Sequence, residues 1–223
     1  MDKFLIKGPC KVKGTVNISG SKNASLPILA ASILFDEMVE IKNLPNVRDI
    51  DTMLSLIKSL GFNVKQNKNS NSVVIKKSKK INTFASYSLV KTMRAGILVL
   101  GPLITKFGKA KTSLPGGCLI GARPINYHLN ALKKLGMNYK IEKGYVNAFA
   151  KSKLTGSNIF FPKISVGATE NAILAATLAN GKTILKNCAI EPEIKNDLTN
   201  FLNQAGAKIK WIGKRTVEIK GVK

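Results

Sequence analysis

The sequence is short of arginine, acid, cysteine and histidine. Of its 36 basic residues only Arg48, Arg94, Arg123 and Arg215 are arginine, and 12 acidic residues leave a formal net charge of +24. Such an excess invites a nucleic-acid partner. The lysines are scattered, however, rather than gathered in one arm. Lysine, asparagine and isoleucine also abound together, as an AT-rich genome would have them, so nucleic acid is not the expected partner. Three cysteines, Cys10, Cys118 and Cys188, are too few and too odd in number for a disulfide scaffold. The single histidine, His128, falls in a helical stretch and reads as structural.

Long apolar runs are also absent. A membrane helix needs about 20 apolar residues; the best candidate, residues 96–104, is too short and reads as a buried helix. The opening MDKFLIKGPCKVKG carries charge where a signal peptide needs its apolar region. Together these predict a cytoplasmic protein with no membrane partner. Hydrophobic residues make up 44% of 223, enough for a sizeable core in one large domain or two small ones.

What the sequence does contain is a repeat. A helix-like run, a glycine and an alternating run recur as LIKSLGFNVK, LKKLGMNYK and LNQAGAKIK, with the glycines Gly61, Gly136 and Gly206 spaced by 75 and 70 residues. Each glycine closes an amphipathic helix, such as the one carrying Ile50, Met53, Leu54 and Ile57 at helical spacing. Upstream of each lies a more uniformly apolar run, LPILAASILF, RAGILVLGPLI or NAILAATLA, which predicts a helix buried on most faces. A short strand separates the two helices, and two strands follow the glycine. The unit is helix, strand, helix, strand, strand, repeated over about residues 22–80, 81–155 and 156–223. The predicted fold is an α/β domain of three like units, with helices inside and sheets outside. Residues 1–21 read as strands preceding the first unit.

The second unit breaks the pattern. From the end of its inner strand to its capping glycine it spans 22 residues, against 18 and 19 in the others. The extra residues fall in Pro115-Gly116-Gly117-Cys118-Leu119-Ile120-Gly121-Ala122-Arg123-Pro124, and repeat-specific insertions tend to be functional loops. Glycines let the backbone approach a ligand closely. Arg123 and a helix start at Pro124 favour anions and should make the Cys118 thiol more reactive. The competing reading is a glycine-rich turn with an incidental cysteine; Cys10 and Cys188 read as packing residues. Two small-residue turns open buried helices. Ile18-Ser19-Gly20-Ser21-Lys22-Asn23-Ala24 offers free N–H groups and the charge of Lys22 to a phosphate, without the full P-loop pattern. Lys163-Ile164-Ser165-Val166-Gly167-Ala168-Thr169 reads equally as a site or as ordinary capping.

ISGSKNA, KTMRA, LPGGCLIGARP, SVGATEN and EPEI, in that order, resemble the UDP-N-acetylglucosamine 1-carboxyvinyltransferases, the enolpyruvyl transferases of the MurA type. The likeness runs through the chain and corresponds to the N-terminal half of such an enzyme. It implies an inside-out α/β barrel domain of three βαβαββ-type repeats, with residues 1–21 packing on a second domain outside this sequence. It implies transfer of enolpyruvate from phosphoenolpyruvate to the 3'-hydroxyl of UDP-N-acetylglucosamine, the first committed step of peptidoglycan synthesis, with no cofactor and no metal.

The resemblance also implies roles. Lys22 holds phosphoenolpyruvate, Asn23 contacts the amino sugar, and Arg94 lines the nucleotide-sugar site. Cys118 bonds phosphoenolpyruvate and is the residue fosfomycin alkylates; Arg123 binds phosphoenolpyruvate on loop closure. Pro124, Ile125, Asn126 and Tyr127 contact uridine, with Asn126 standing where the family frequently carries aspartate. Lys163, Ile164, Ser165, Val166 and Gly167 surround the diphosphate and uridine. Because a catalytic aspartate and further arginines belong to the second half, this chain alone is expected to lack turnover. The alternatives are a non-catalytic nucleotide-sugar-binding remnant and an RNA-associated protein of the related cyclase fold.

Overall fold

The computed structural model describes residues 3–116 and 125–223. Three units follow one another. The first comprises α1 (Lys22–Ala31), β1 (Val39–Ile41), α2 (Arg48–Ser59), β2 (Phe62–Asn67) and β3 (Ser72–Lys77). The second begins with β4 (Phe84–Ala85) and α3 (Tyr87–Val90), then runs through a 3-10 segment (Arg94–Val99) into α4 (Leu100–Phe107). It continues as β5 (Lys109–Ser113), α5 (Asn126–Lys134), β6 (Asn138–Glu142) and β7 (Tyr145–Phe149). The third has β8 (Asn158–Phe160), α6 (Val166–Ala176), β9 (Lys182–Lys186), a π-helical turn (Glu193–Leu198) leading into α7 (Thr199–Gln204), β10 (Lys208–Gly213) and β11 (Thr216–Lys220).

The repeat predicted from the capping glycines is present. Gly61, Gly136 and Gly206 have φ of 91°, 107° and 96°, a left-handed backbone that glycine adopts without penalty. Their N–H groups donate to Lys58, Lys133 and Asn203 carbonyls, each at 3.0 Å, so the three helices end in one geometry. Each unit then builds the same antiparallel set: β1-β3-β2, β5-β7-β6 and β9-β11-β10. In the second and third sheets a fourth strand joins in parallel, β4 beside β5 and β8 beside β9.

The helices lie inside. Residues Ala168 to Ala176 of α6 are all buried, and α6 packs against α4 and α5. The α4–α6 seam is close. A Cβ added to Gly101 would stand 2.3 Å from Asn171 Oδ1, so a side chain there has no space. Across the seam Thr105 Oγ1 donates to the Ala175 carbonyl at 2.9 Å. Units one and three meet through an edge-to-face contact of Phe35 and Phe201, with ring centroids 5.7 Å apart.

Two features depart from the sequence reading. The short parallel strands β4 and β8 carry no signal of their own, because two or three residues cannot show a period. The strands expected in residues 1–21 are not formed: residues 3–20 carry no regular secondary structure, and Phe4, Leu5, Ile6, Val12, Val16 and Ile18 stand exposed. A strand needs a neighbouring edge for its N–H and C=O groups, and these residues pair with none among the described residues. Among the described residues no helix is long and apolar enough to cross a membrane.

Candidate functional site

Two buried helices start at the same cavity. The side chain of Ser21 caps α1 by accepting from the Ala24 N–H at 3.3 Å, and that of Ser165 caps α6 by accepting from the Ala168 N–H at 3.4 Å. First-turn N–H groups have no acceptor within their own helix, and each helix is long enough (10 and 11 residues) to carry a positive N-terminal pole. Between them lies a cavity of about 800 Å³. Lys22, Asn23 and Pro27 of α1 line one side, and Lys163, Ile164, Ser165, Val166 and Gly167 another. Arg94, Tyr127 and His128 lie between, with Asp49 at the mouth and Glu170 in the wall.

Of the residues singled out from sequence, Lys22, Asn23, Arg94, Tyr127 and all of Lys163, Ile164, Ser165, Val166 and Gly167 meet at this cavity. Ile125 is buried at the start of α5 and Asn126 is exposed beside it; neither lines the cavity. Cys118, Arg123 and Pro124 lie outside the described residues. Cys188 is fully buried, and burial pushes its thiol up to about 12, so it is an inert packing residue. Cys10 is exposed rather than packed, because its segment forms no strand.

The cavity is cationic on balance. Lys22, Arg94 and Lys163 face Asp49 and Glu170, and Lys22 is itself paired with Asp49 at 3.1 Å. That pair is half exposed and therefore weak; a ligand anion can compete for the lysine. Pro27 has no N–H to give, so the Asn23 carbonyl loses its helical donor at the cavity edge.

Behind the cavity a polar network holds His128. Asn171 Oδ1 accepts from the Gly101 N–H at 2.7 Å, which orients the amide. Its Nδ2 donates to the Ile97 carbonyl at 3.0 Å and lies 3.1 Å from His128 Nδ1. Nδ1 must therefore accept, and the ring proton sits on Nε2. Burial, and then the nearby Arg94 charge, lower the His128 pKa to about 4, so the ring is neutral. Its edge packs on the first turn of α6, where a Cβ on Gly167 would lie 3.0 Å from Cε1. The structural reading of His128 thus holds, with the addition that it also lines the cavity.

Asp49 and Glu170 were not legible as site residues. Asp49 reads as an ordinary acid in a first helical turn, and Glu170 lies just before the apolar run NAILAATLA, where only burial singles it out. Among the described residues no cluster of three or more histidine, cysteine or acidic side chains could hold a metal ion.

Comparison with known proteins gives a consistent picture. The EPSP synthase (3-phosphoshikimate 1-carboxyvinyltransferase) family model matches residues 6–223. The UDP-N-acetylglucosamine 1-carboxyvinyltransferase of Pelagibacter ubique is 62% identical over 222 residues, a match covering 100% of this chain and 52% of that protein. The protein of the same name from Pseudoalteromonas atlantica is 52% identical, again covering 100% of this chain and 52% of the relative. The chain thus spans about half the length of the curated relatives it matches. Among solved structures, the enolpyruvyl transferase NikO from Streptomyces tendae superposes with a TM-score of 0.79 at 19% identity, covering 94% of this chain and 48% of the other. An EPSP synthase from Acinetobacter baumannii follows, with a TM-score of 0.75 at 17% identity and coverage of 94% and 47%. These two likenesses establish the fold.

Proposed function

We propose that this chain, which belongs to the EPSP synthase (3-phosphoshikimate 1-carboxyvinyltransferase) family, is the nucleotide-sugar-binding half of a cytoplasmic UDP-N-acetylglucosamine 1-carboxyvinyltransferase. The whole enzyme moves enolpyruvate from phosphoenolpyruvate to the 3'-hydroxyl of UDP-N-acetylglucosamine and releases phosphate, the first committed step of peptidoglycan synthesis. The observation that carries this reading is the convergence of two capped helix N-termini with Lys22, Arg94 and Lys163 on one cavity. A diphosphate takes up such N–H groups and fixed cations without further machinery. High identity to relatives bearing that enzyme's name, against low identity to the EPSP synthase, favours the nucleotide sugar over a shikimate ligand.

In this reading Lys163, Ile164, Ser165, Val166 and Gly167 hold the diphosphate and uridine, and Ile125, Asn126 and Tyr127 with Pro124 contact the base. Arg94 and Asn23 bind the sugar side. Lys22 leaves Asp49 to hold phosphoenolpyruvate, and Cys118 and Arg123 engage it from the glycine-rich loop. Charge develops at a carbon flanked by carboxylate and phosphate, and fixed cations stabilise that charge in the transition state. Residues 22–223 form the three-repeat domain. Residues 1–21 pack on a second domain, which the exposure of their apolar side chains supports.

The test is binding before turnover. Calorimetry should show the chain binding UDP-N-acetylglucosamine, and mass spectrometry should show fosfomycin on Cys118 but not in Cys118→Ser. No phosphate release is expected from the pure chain until the second half is added. Labelling of Cys118→Ser equal to wild type, or turnover by the chain alone, would refute these assignments.

A further inference from the structure

Glu170 is the one acidic side chain buried among the described residues, at 5% exposure. Its buried polar neighbours on α6 are satisfied. The Thr169 hydroxyl donates to the Ser165 carbonyl at 2.8 Å and accepts from the Ala189 N–H at 3.1 Å, and Asn171 makes the three contacts described above. Glu170 has no hydrogen-bond or ion-pair partner among the described residues, and it lines the cavity. What exposure Glu170 keeps is at its carboxyl, which opens on the cavity rather than into the packed core, and an acid so largely buried is costly to keep. Packing alone does not explain it, because an apolar side chain would fill the same space.

Its position suggests what it meets. Glu170 stands three and four residues beyond Gly167 and Val166, on the same face of α6. Side chains on a helix lean towards its N-terminus, so the carboxyl leans towards the N–H groups at the start of α6. We propose that Glu170 is a ligand-contacting residue of this cavity, whose carboxyl donates a hydrogen bond to an oxygen of a bound nucleoside diphosphate. This inference rests on the nucleotide-sugar reading of the site.

The protonated form is the one available at neutral pH. Burial, and then the charges of Glu193 and Glu191, raise the pKa of Glu170 to about 8. The acid is then a neutral donor beside the positive pole of α6. Once ionised, the carboxylate occupies the field that would hold the ligand's phosphate and repels it. The other charged or titratable groups lining the cavity are Lys22, Asp49, Arg94, Tyr127, His128 and Lys163. On the remaining elements packed against α6, Lys106 of α4 is paired with Asp36, and Lys182 of β9 with Glu218 of β11. Lys186 and Lys220 of that sheet are exposed, and Lys195 and Asp197 lie on the π-helical turn. His128 is already neutral across this range.

The experiment titrates binding of UDP-N-acetylglucosamine, and of uridine diphosphate as a second probe, from pH 6.5 to 9.5 in wild type, Glu170→Gln and Glu170→Ala. Wild-type affinity should fall about tenfold between pH 7 and pH 9. Glu170→Gln keeps a donor without an ionisable proton, so its profile should be flat and its affinity at pH 9 about tenfold above wild type. Glu170→Ala should be flat and weak throughout; if it fails to fold, Glu170→Gln carries the test. Equal pH profiles in wild type and Glu170→Gln overturn the inference. Binding of uridine diphosphate but not of the nucleotide sugar overturns the sugar reading alone, and the Glu170 contact is then decided on uridine diphosphate. Binding of neither probe overturns both.

Discussion

Two neighbours on one helix divide the molecule into its two kinds of region. Asn171 lies in the seam between α4 and α6, where both ends of its amide have partners and a glycine is needed for the helices to approach. Glu170 lies in the cavity wall, where the acid has none among the described residues and space of about 800 Å³ opens beside it. The seam gains stability from satisfied contacts. The cavity forgoes it, keeping an acid without a partner among the described residues beside open space.

The largest test breaks the seam. Asn171→Leu strands the Gly101 N–H and His128 Nδ1, while the Ile97 carbonyl keeps the Leu100 N–H, and should cost about 4 kcal/mol in urea unfolding, since each lost buried partner is worth 1–3 kcal/mol. Gly101→Ala is next, at about 3 kcal/mol, because the added methyl meets Asn171 and the helices must separate.

The third test uses pH. Glu170 has a raised pKa in the folded protein, so its contribution to stability is complete below its unfolded value of 4.5 and is lost as pH rises through about 8. His128 has the opposite sign: its pKa is lowered from 6.5 to about 4, so stability is lost as pH falls across that window. The two oppose between 4.5 and 6.5. Between pH 6.5 and 8 Glu170 acts without His128, and stability should fall by about 2 kcal/mol. Thermal unfolding of Glu170→Gln should show no such decline; a decline equal to wild type would assign it elsewhere.

The smallest effect on folding is expected on the other side of the cavity. Lys163 is exposed, so Lys163→Ala should leave stability within about 0.5 kcal/mol. The same change should weaken UDP-N-acetylglucosamine binding about tenfold by calorimetry, as loss of a charge-assisted contact would. A variant that loses stability but not affinity would place Lys163 with the seam rather than the site.

Much of the fold was legible because it is local. The three capping glycines, the amphipathic helices before them and the strands after them depend on backbone conformation and periodicity within a dozen residues. The parallel strands β4 and β8 were not, because their pairing is set by a neighbouring strand rather than by their own residues. The apolar run of residues 94–104 reads as one helix but begins as a 3-10 segment. At the site, Lys22, Asn23, Arg94 and residues 163–167 stood out as charges or small residues at helix starts. Asp49 and Glu170 did not, since a sequence says nothing of which acids face inward.

By itself, then, the sequence determined the repeat, the order of helices and strands within it, and the two small-residue turns that open buried helices. Each follows from propensities acting over short distances. Only the tertiary structure decided that α1 and α6 begin at the same cavity, that Asn171 sets the tautomer of His128, and that Glu170 is buried without a partner among the described residues. Those outcomes depend on contacts between residues about 40 to 150 positions apart, and close packing rather than local preference settles them.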